Sequence, residues 1–500
     1  MTATLWFDVE DLFEYASASS RPSGIQRLAF ELYRTLQAQH GDSGLVRFVR
    51  HDAARNSFRS VSWPEVAALF AGLTAEAQPL PTRVHAVRPR TPVWRAMRLL
   101  SRRMPLSVRT PLIEALWTQA ASWRAMGRLG GGLVRGALRL SARRARERGS
   151  ASDRQTNDFI RLAAPGDLLL VLGAPWAHPD YAGLISGQRE QRGLRLALLM
   201  YDLIPTLHPE WFGIVLVRRF CSWIDSVLPL CDVVFAISRS TAADVAAYAS
   251  GRGIVLPGPV ISLPIGTGFG TELPAAPAPR STRLPPPDSY ALFVSTIEVR
   301  KNHLLLFRVW QRLLAELPRE QVPKLVFAGR IGWLVDDLMD QIANTENLGG
   351  HLLLIENPAD AELAALYQGC LFTMFPSFYE GWGLPVTESL AFGKPCLIAD
   401  RTSLPEAGGD LARRFDPDNL HDAYAVIRDS IVDRAGLARW EERVRREFRP
   451  VPWSVTVEAM LAGLGHPLAN NGRGTTASPT MASVVSTDAI MEHAADKEDR

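Results

Sequence analysis

The residues best suited to chemistry lie in a short segment around Glu380. Residues 376–388 read PSFYEGWGLPVTE, in which Glu380 and Glu388 are separated by a glycine-rich loop. The apolar run before the loop predicts a strand, and Pro385 is typical of a first helical turn. Glycines let the backbone approach a ligand closely, and amides at a helix start attract anions. This corner therefore suits a diphosphate.

The two glutamates are placed to contact different ends of one ligand. Glu380 lies on the predicted loop and Glu388 about one turn into the predicted helix, so they do not pair as acid and base. Carboxylates accept hydrogen bonds from hydroxyl groups. One glutamate can hold a transferred sugar and the other a ribose. The alternative interpretation is an ordinary strand–loop–helix corner with solvated glutamates.

A second polar loop carries adjacent cations. The apolar run YALFVSTI at 290–297 is followed by Glu298, Val299, Arg300 and Lys301, and then by a helical pattern. An arginine fork and a lysine point charge at the carboxyl end of a strand can neutralise a diphosphate and stabilise a leaving group. A solvated helix start with incidental charge is the alternative.

Alternating strand and helix patterns position both loops. The first half opens with a strand at 5–9, a loop around Gly24 and a helix at 25–36, which is the first unit of a doubly wound α/β domain. Further buried parallel strands are predicted at 167–172, 194–200, 232–237, 290–297, 324–329, 351–356, 370–376 and 394–400. Ser238 or Ser240 is expected to cap the helix after the fourth strand pattern.

Composition divides the chain into domains. A proline-dense stretch, PAAPAPRSTRLPPP, predicts an extended linker. The predicted parts are a first α/β domain, the linker, a second α/β domain, a C-terminal helix and a disordered tail, at 1–273, 274–287, 288–450, 451–466 and 467–500. The four cysteines form no CxxC pair, which argues against a zinc knuckle and a disulfide framework.

An arginine-rich insertion is predicted within the first domain. Residues 83–148 hold 16 arginines and 2 glutamates, a net charge of +14 in a chain whose total is +3. Arginine recurs there at helical spacing beside apolar residues, which favours helices lying on an anionic membrane surface. A solvated or protein-covered insertion is the alternative, and no nucleic-acid-binding motif is present. Neither a secretory signal nor a membrane span is apparent, so a cytoplasmic protein, peripheral on the inner face of the membrane, is expected.

Several motifs in the same order resemble one enzyme family. Residues 290–302, 324–333, 358–376 and 380–410 resemble glycosyltransferase family four, and in particular the bacterial mannosyl- and rhamnosyltransferases of O-antigen, capsule and exopolysaccharide assembly. Weaker similarity in the first half lies at 21–27, 201–212 and 232–241. The resemblance implies the GT-B fold, in which two Rossmann-like domains, each a doubly wound parallel sheet, face a cleft. It implies that residues 1–273 form the N-terminal acceptor-binding domain and residues 288–450 the C-terminal nucleotide-sugar-binding domain, and that the helix at 451–466 crosses back to the first domain.

The resemblance also assigns roles to residues. It implies that Glu380 lies near the donor sugar, that Glu388 binds the ribose and that Arg300 and Lys301 bind phosphate. Asp202 matches a position near the reacting sugar. The implied donor-binding residues also include Gly24, Ser295, Gly329, Arg330, Gly381, Trp382, Gly383 and Leu384. Ser295 stands where many members have an arginine, and Arg300 is expected to compensate. His178 and His208 line the cleft or are ordinary loop histidines.

The implied reaction is hexosyl transfer with retention from a nucleoside-diphosphate sugar. GDP-mannose is the preferred donor, with UDP- and dTDP-sugars as alternatives, and neither a cofactor nor a metal ion is expected. The acceptor is a polyprenyl-diphosphate-linked or oligosaccharide molecule. The leaving diphosphate helps to deprotonate the acceptor hydroxyl. Two other functions remain open, a non-catalytic membrane-associated GT-B scaffold and a sugar-nucleotide epimerase.

Overall fold

The computed structural model of the chain describes residues 3–18, 21–74, 158–268 and 283–466. The insertion predicted at 83–148, residues 274–282 of the predicted linker and the predicted tail at 467–500 lie outside the described residues. The strands are β1 Leu5–Asp8, β2 Val46–Asp52, β3 Ser57–Val61, β4 Leu168–Val171, β5 Arg195–Met200, β6 Val233–Ala236, β7 Val260–Ser262, β8 Tyr290–Val294, β9 Lys324–Ala328, β10 Leu352–Ile355, β11 Thr373–Phe375, β12 Cys396–Ala399 and β13 Arg413–Phe415.

Helices connect most of these strands. They are α1 Glu10–Ala18, α2 Gly24–His40, α3 Trp63–Thr74, α4 Asp158–Leu162, α5 Tyr181–Arg192, α6 Ile204–Leu207, α7 Ile214–Val227, α8 Arg239–Gly251, α9 His303–Glu316, α10 Asp336–Asn344, α11 Glu346–Gly350, α12 Asp360–Gly369, α13 Leu384–Ala391, α14 Leu404–Gly408, α15 Leu420–Val432, α16 Arg434–Glu447 and α17 Trp453–Gly463. Ser238 caps α8 by accepting a hydrogen bond from Thr241 N at 2.9 Å, one of the two caps expected from the sequence.

The first domain is built on a sheet with the strand order β3-β2-β1-β4-β5-β6-β7. Its strands are parallel except β3, which pairs antiparallel with β2 at the edge. Strands β1, β4 and β6 are buried along their whole length, because helices cover both faces of the sheet. The predicted doubly wound sheet is confirmed, with one antiparallel edge strand added.

The segment after β1 differs from the prediction. We expected a loop from β1 to the helix that follows Gly24, but helix α1 lies between them. Its first turn holds Glu10 and Asp11, and acidic side chains stabilise the positive end of a helix dipole. The Glu10 N–H donates to Asp8 Oδ1 at 3.0 Å, which fixes the turn between strand and helix.

The second domain is built on a parallel sheet with the order β10-β9-β8-β11-β12-β13. Strands β8 and β11 are neighbours although four α-helices and two strands separate them in the chain. The two polar loops predicted to carry the chemistry follow these two strands. They therefore lie side by side at the carboxyl edge of the sheet, where ligands bind in open α/β sheets.

The helix α17 packs on the first domain although it follows the second domain in sequence. Its residues Val457, Met460 and Leu461 are fully buried in the apolar core of the first domain. Trp453 Nε1 donates to the Gly268 carbonyl at 2.7 Å, and Thr456 Oγ1 donates to the Pro264 carbonyl at 2.7 Å. The chain thus returns to the domain where it began.

Candidate active site

The turn after β8 positions the two predicted phosphate-binding cations. Residues Val299–Lys301 form a single 3₁₀ turn, and Asn302 follows in the left-handed conformation with φ of 56°. Asparagine tolerates this conformation better than most residues. Its Nδ2 donates to the Pro417 carbonyl at 3.1 Å, and α9 then begins at His303. The cations are therefore held by a fixed turn.

The loop after β11 places Glu380 against these cations. The Phe378 N–H donates to the Arg300 carbonyl at 3.0 Å, so the two loops are joined through their backbones. Ser403 Oγ donates to the carbonyls of Glu380 and Trp382 at 2.8 and 2.9 Å. Gly383 has φ of 109°, a value that favours glycine, and α13 follows it.

Arg300, Lys301 and Glu380 form one buried ion cluster. Arg300 Nη1 contacts Glu380 Oε2 at 2.8 Å, and Lys301 Nζ contacts Glu380 Oε1 at 2.5 Å. The other terminal nitrogen of Arg300 contacts Glu298 at 2.8 Å. Each of the three predicted side chains is at most 16% exposed. The structure brings the predicted sugar-binding glutamate and the predicted phosphate-binding cations into direct contact, which the sequence did not predict.

The charges in this cluster depend on one another. Burial alone would raise the pKa of Glu380, but the charges of Arg300 and Lys301 outweigh burial and lower this pKa to about 2. Burial and the neighbouring Arg300 lower the pKa of Lys301, and Glu380 opposes that shift. The carboxylate is therefore the counter-ion that keeps both cations charged in a site with little water.

Asp202 faces the cluster from the first domain. It follows β5, and its Oδ1 accepts a hydrogen bond from Ile204 N at 3.1 Å. Burial raises its pKa, and Arg300 opposes this shift. The two domains touch at this point, since a Cβ on Gly381 would lie 2.0 Å from the Tyr201 carbonyl oxygen. A glycine is required there for the close approach.

The predicted Gly24 loop also reaches the second domain. A Cβ on Gly24 would lie 3.6 Å from Leu384 Cδ1, at the start of α13. Nearby, Arg27 forms a two-point ion pair with Asp360 at 2.8 and 3.2 Å. Arg21 Nη1 donates to the Asn357 carbonyl at 2.8 Å. No sequence signal identified these cross-domain pairs, because their partners lie in different domains.

Glu388 lies apart from the ion cluster. Its Oε2 accepts a hydrogen bond from Tyr367 Oη at 2.8 Å. Burial raises its pKa, and the hydrogen bond from Tyr367 and the charge of Arg27 oppose that shift. Glu388 is thus placed near Tyr367 and within reach of the charge of Arg27.

The remaining predicted donor residues line the same strand ends. Ser295 Oγ lies 3.1 Å from His303 Nε2, and a Cβ on Gly329 would lie 1.9 Å from the Ser295 carbonyl oxygen. The Arg330 side chain is exposed. Trp382 packs against the cores of both domains, and within the described ranges its buried Nε1 has no hydrogen-bond partner.

The two histidines considered in the sequence have different surroundings. His208 stacks on Trp211 at 4.1 Å between ring centroids and lies 5.2 Å from the ring of Tyr379, at the junction of the domains. His178 contacts His51 at 4.9 Å in the first domain. His208 therefore borders the loop that carries Glu380, whereas His178 belongs to a separate recess.

The start of α13 offers fewer amides than the sequence suggested. Pro385 has no N–H, and the Val386 N–H already donates to the Gly383 carbonyl at 2.9 Å. The binding of an anion would therefore depend more on Arg300 and Lys301 than on the helix. The geometry can neutralise two linked phosphoryl groups if Glu380 gives up its contacts to the cations.

Comparison with known proteins gives matches to glycosyltransferases. Residues 277–447 match the family described as glycosyl transferases group 1. The O-antigen chain mannosyltransferase B of Escherichia coli is 35% identical over 144 residues, which are 29% of this chain and 37% of that protein. The serotype-specific mannosyltransferase WbdA of Escherichia coli is 29% identical over 270 residues, 53% of this chain and 32% of that protein.

Among solved structures, the crystal structure of TarM is similar with a TM-score of 0.46 and 13% identity, over 61% of this chain and 56% of TarM. The chain spans less than two fifths of the length of each of the two curated relatives. The family match covers the sheet of the second domain and both polar loops of the ion cluster. The similarity to glycosyl transferases group 1 therefore lies in the domain that holds both polar loops, residues 277–447.

Proposed function

We propose that the protein is a retaining glycosyltransferase acting in bacterial surface or extracellular polysaccharide biosynthesis. It transfers a hexosyl residue, preferably mannose, from a nucleoside-diphosphate sugar to a lipid-linked or oligosaccharide acceptor. The observation that carries the proposal is the buried cluster of Arg300, Lys301 and Glu380, which faces Asp202 across the domains. The family of residues 277–447 and the mannosyltransferase relatives support it.

The cations supply the donor site. A diphosphate carries two or more negative charges and competes with Glu380 for Arg300 and Lys301. When the phosphates take these contacts, Glu380 is released and its oxygens can accept hydrogen bonds from hydroxyls of the transferred sugar. GDP-mannose is the preferred donor, with UDP- and dTDP-sugars as alternatives. The proposal includes neither a metal ion nor another cofactor.

The transfer step follows from this arrangement. The bond between the anomeric carbon and the diphosphate oxygen breaks while the acceptor oxygen bonds to the same face of that carbon. The leaving diphosphate takes the acceptor's proton, and Arg300 and Lys301 stabilise its charge. Asp202 lies close enough to the cluster to interact with the charges of Arg300 and Glu380, and it accepts a hydrogen bond from the reacting sugar.

Turnover assays test this function. The purified protein is incubated with a panel of GDP-, UDP- and dTDP-sugars and with neutral oligosaccharides, and released nucleotide and product are measured. We expect Arg300→Ala and Glu380→Ala to lower kcat/KM by a factor of about 100 or more. The control is Arg413→Ala, which removes an exposed pair with Asp429. Unchanged turnover in both active-site variants would contradict the proposal.

Two alternative functions give different results in the same assays. A non-catalytic scaffold would show no saturable nucleotide binding in thermal-shift titrations with GDP, UDP and dTDP, because only a bound ligand raises the melting temperature by mass action. A sugar-nucleotide epimerase would produce a changed free or nucleotide-linked sugar without an acceptor. A nucleotide shift combined with acceptor-dependent product supports the transferase.

The proposed location is the cytoplasmic face of a membrane. Among the described residues, no helix is long and apolar enough to cross a bilayer. Support for peripheral binding comes from the basic composition of 83–148 and from α7, where Ile214 and Val215 are 60% and 62% exposed next to the exposed Arg218. Arginines beside exposed apolar side chains suit anionic lipid.

Vesicle co-sedimentation tests the location. We expect binding to vesicles with anionic phospholipid that weakens as salt rises, and reduced binding when residues 83–148 are replaced by a short flexible linker. The matched control is a vesicle of zwitterionic phospholipid only. Sedimentation with neither vesicle would contradict membrane association, and equal sedimentation with both would contradict a preference for anionic lipid. Neither result affects the donor site.

A further inference from the structure

Helix α8 of the first domain lies against the loop that carries Glu380. Three groups of the second domain contact the first two turns of this helix: the Tyr379 hydroxyl, the Gly381 carbonyl and the Glu406 carboxylate. Two of these groups belong to the residues directly before and directly after Glu380 in the chain. The proposed reaction gives a role to Glu380 but none to these contacts.

Glu406 fixes the start of α8 from the other domain. One of its carboxylate oxygens accepts hydrogen bonds from the Arg239 N–H at 3.0 Å and from Arg239 Nε at 3.1 Å, and the other accepts from the Ser240 N–H at 2.9 Å. Amides at a helix start have no partner within the helix, and the helix dipole favours a carboxylate there. Since Ser238 caps the next amide, the second domain supplies the rest of the cap.

Thr241 joins the end of β5 to the loop after β11. It is 1% exposed, and its Oγ1 lies 3.3 Å from both the Tyr201 carbonyl oxygen and the Gly381 carbonyl oxygen. A hydroxyl group has one proton to donate, so these two carbonyls, one from each domain, share it. Ser238 Oγ donates to Thr241 Oγ1 at 3.0 Å and orients the hydroxyl. The residue after Glu380 is therefore held by the first domain.

Asp244, about one turn further along α8, holds the residue before Glu380. Tyr379 Oη donates to Asp244 Oδ2 at 2.6 Å. Burial and the charge of Asp244 raise the pKa of Tyr379, so the phenol stays protonated and remains the donor. The carbonyl of the same tyrosine accepts a hydrogen bond from Arg300 Nη1 at 2.5 Å. Tyr379 thus links a proposed phosphate-binding cation to a helix of the other domain.

The contacts with α8 matter most when a donor is bound. In the proposed reaction the diphosphate takes Arg300 and Lys301 from Glu380, so the ion pairs that orient this side chain are given up. Two sets of bonds on the loop do not involve the cations. Thr402 and Ser403 hold the backbone of Glu380 within the second domain, and α8 holds the residues on either side of it. Together they set the direction in which the carboxylate points.

We propose that Asp244 and Thr241 are positioning residues for Glu380. They hold the loop on both sides of this glutamate, so its carboxylate reaches the transferred sugar only while α8 is docked on the second domain. The inference rests on the proposed transferase function, and Glu406 supports both residues by securing the start of their helix. Phosphate binding is independent of α8, because Asn302 fixes the turn that carries the cations within the second domain.

Turnover and nucleotide binding are measured on variants that remove the bond between the phenol and the carboxylate. These are Tyr379→Phe and Asp244→Ala. GDP-mannose is the donor and GDP the probe of the phosphate site, and the corresponding UDP or dTDP pair replaces them if the donor panel identifies it. We expect kcat to fall about tenfold or more, because a small misplacement of an orienting group costs rate steeply. The dissociation constant of GDP, which carries no sugar, should stay within twofold of wild type.

The double variant Tyr379→Phe/Asp244→Ala tests whether the two residues act through their shared bond. If they do, their effects are not additive, and the double variant loses at most about twofold more kcat than the weaker single variant. Additive losses would overturn the proposal, since each residue would then act separately. An unchanged kcat in Tyr379→Phe would overturn it too, as would a dissociation constant of GDP that rises as much as kcat falls.

Trp333→Phe is the matched control, because it removes another hydrogen bond between the domains, to the Trp211 carbonyl, that involves no residue of 379–381. We expect its kcat to stay within twofold of wild type. An equal loss in this variant would mean that any contact between the domains matters, which would overturn the assignment to α8. A wild-type protein that neither binds GDP, UDP or dTDP nor transfers a sugar would instead overturn the proposed function.

Discussion

At the scale of single residues, Glu380 has two roles that it cannot fill at the same time. In the structure it neutralises Arg300 and Lys301, whereas the proposed reaction needs it to contact the sugar. Removing one member of a buried ion group leaves uncompensated charge, and this usually costs more free energy than the intact group contributes. The same carboxylate that stabilises the unliganded protein therefore competes with the donor.

Glu380→Gln separates these two roles. We expect the free energy of unfolding to fall by about 3 kcal/mol, because two buried cations lose their counter-ion. We also expect GDP to bind more tightly, since the diphosphate no longer competes with a carboxylate, while kcat falls. Urea unfolding, calorimetric titration with GDP and turnover measure the three effects. Weaker GDP binding in this variant would contradict the proposed competition, and Glu447→Gln, at an exposed ion pair, is the control.

Asp11 gives a prediction about pH. Burial and the nearby Asp8 raise the pKa of Asp11 in the folded state to about 7, above the usual value of 3.8 for an exposed aspartate. The carboxyl group therefore favours the folded state at low pH, and this stability is lost as pH rises through about 7. The substitution Asp11→Asn removes this loss of stability at high pH, because the amide does not titrate. We expect the melting temperature of the variant to exceed that of wild type more at pH 8 than at pH 5, by roughly 2–4 °C.

The comparison needs a control for neighbouring groups that also titrate. Those facing Asp11 are Asp8, Glu10, Glu14, His51 and His178. Because these groups are present in both proteins, the difference between variant and wild type isolates Asp11 to first order. A difference that does not change between pH 5 and pH 8 would mean that Asp11 is not held with a raised pKa.

At the scale of elements, the contact between the loop after β11 and the end of β5 sets how closely the domains approach. Gly381→Ala is expected to push them apart, because the new methyl group would lie 2.0 Å from the Tyr201 carbonyl oxygen. We expect at least a tenfold loss of kcat/KM with a small change in melting temperature. Gly187→Ala in α5, where the nearest atom is 4.0 Å away, is the matched control. Equal activity in the two variants would show that this approach is unimportant.

The sequence predicted the buried strands better than the edges of the sheets. Strands such as β4 and β8 are continuous apolar runs, because a strand that is buried on both faces of a sheet has apolar side chains pointing in both directions. Strands β2 and β3 were missed because arginines interrupt them, as in VRFVRHD, where one face is only half-buried. Helix α1 was missed because its acidic first turn, next to a strand, reads as a loop.

The residues of the candidate site could be predicted from the sequence, but the contacts between their side chains could not. Motif order identified Arg300, Lys301 and Glu380, whose loops follow neighbouring strands. Their direct contact was not predictable, because nothing in sequence says which charges pair in the absence of a ligand. The ion pair of Arg27 with Asp360 could not be predicted either, because it depends on how the two domains meet.

At the scale of the whole molecule, the two domains are joined by side chains as well as by the backbone. Tyr379 donates to Asp244 at 2.6 Å, and Trp333 Nε1 donates to the Trp211 carbonyl at 2.7 Å. With the pair formed by Arg27 and Asp360, these contacts link the two domains at three places. Opening and closing of the domains must break and remake these cross-domain contacts. The contacts therefore contribute to the free energy that is needed to open the cleft for a donor.

Helix α17 makes the stability of the first domain depend on the end of the chain. Trp453→Ala is expected to lower the free energy of unfolding by about 3–5 kcal/mol, because a large buried side chain leaves a cavity beside Gly266. The measurement is urea unfolding followed by tryptophan fluorescence and circular dichroism. Val432→Ala, at a side chain that is 51% exposed, is the control. Similar stability of both variants would mean that α17 is not part of the core.

The return of the last helix also has a consequence for synthesis on the ribosome. The first domain lacks Val457, Met460 and Leu461 until the second domain has been translated, because these residues follow it in the chain. During that interval the apolar groove that they will fill is open to water and to other nascent chains. The second domain contains its own core and can fold first, reversing the usual order in which the amino-terminal unit is completed earliest.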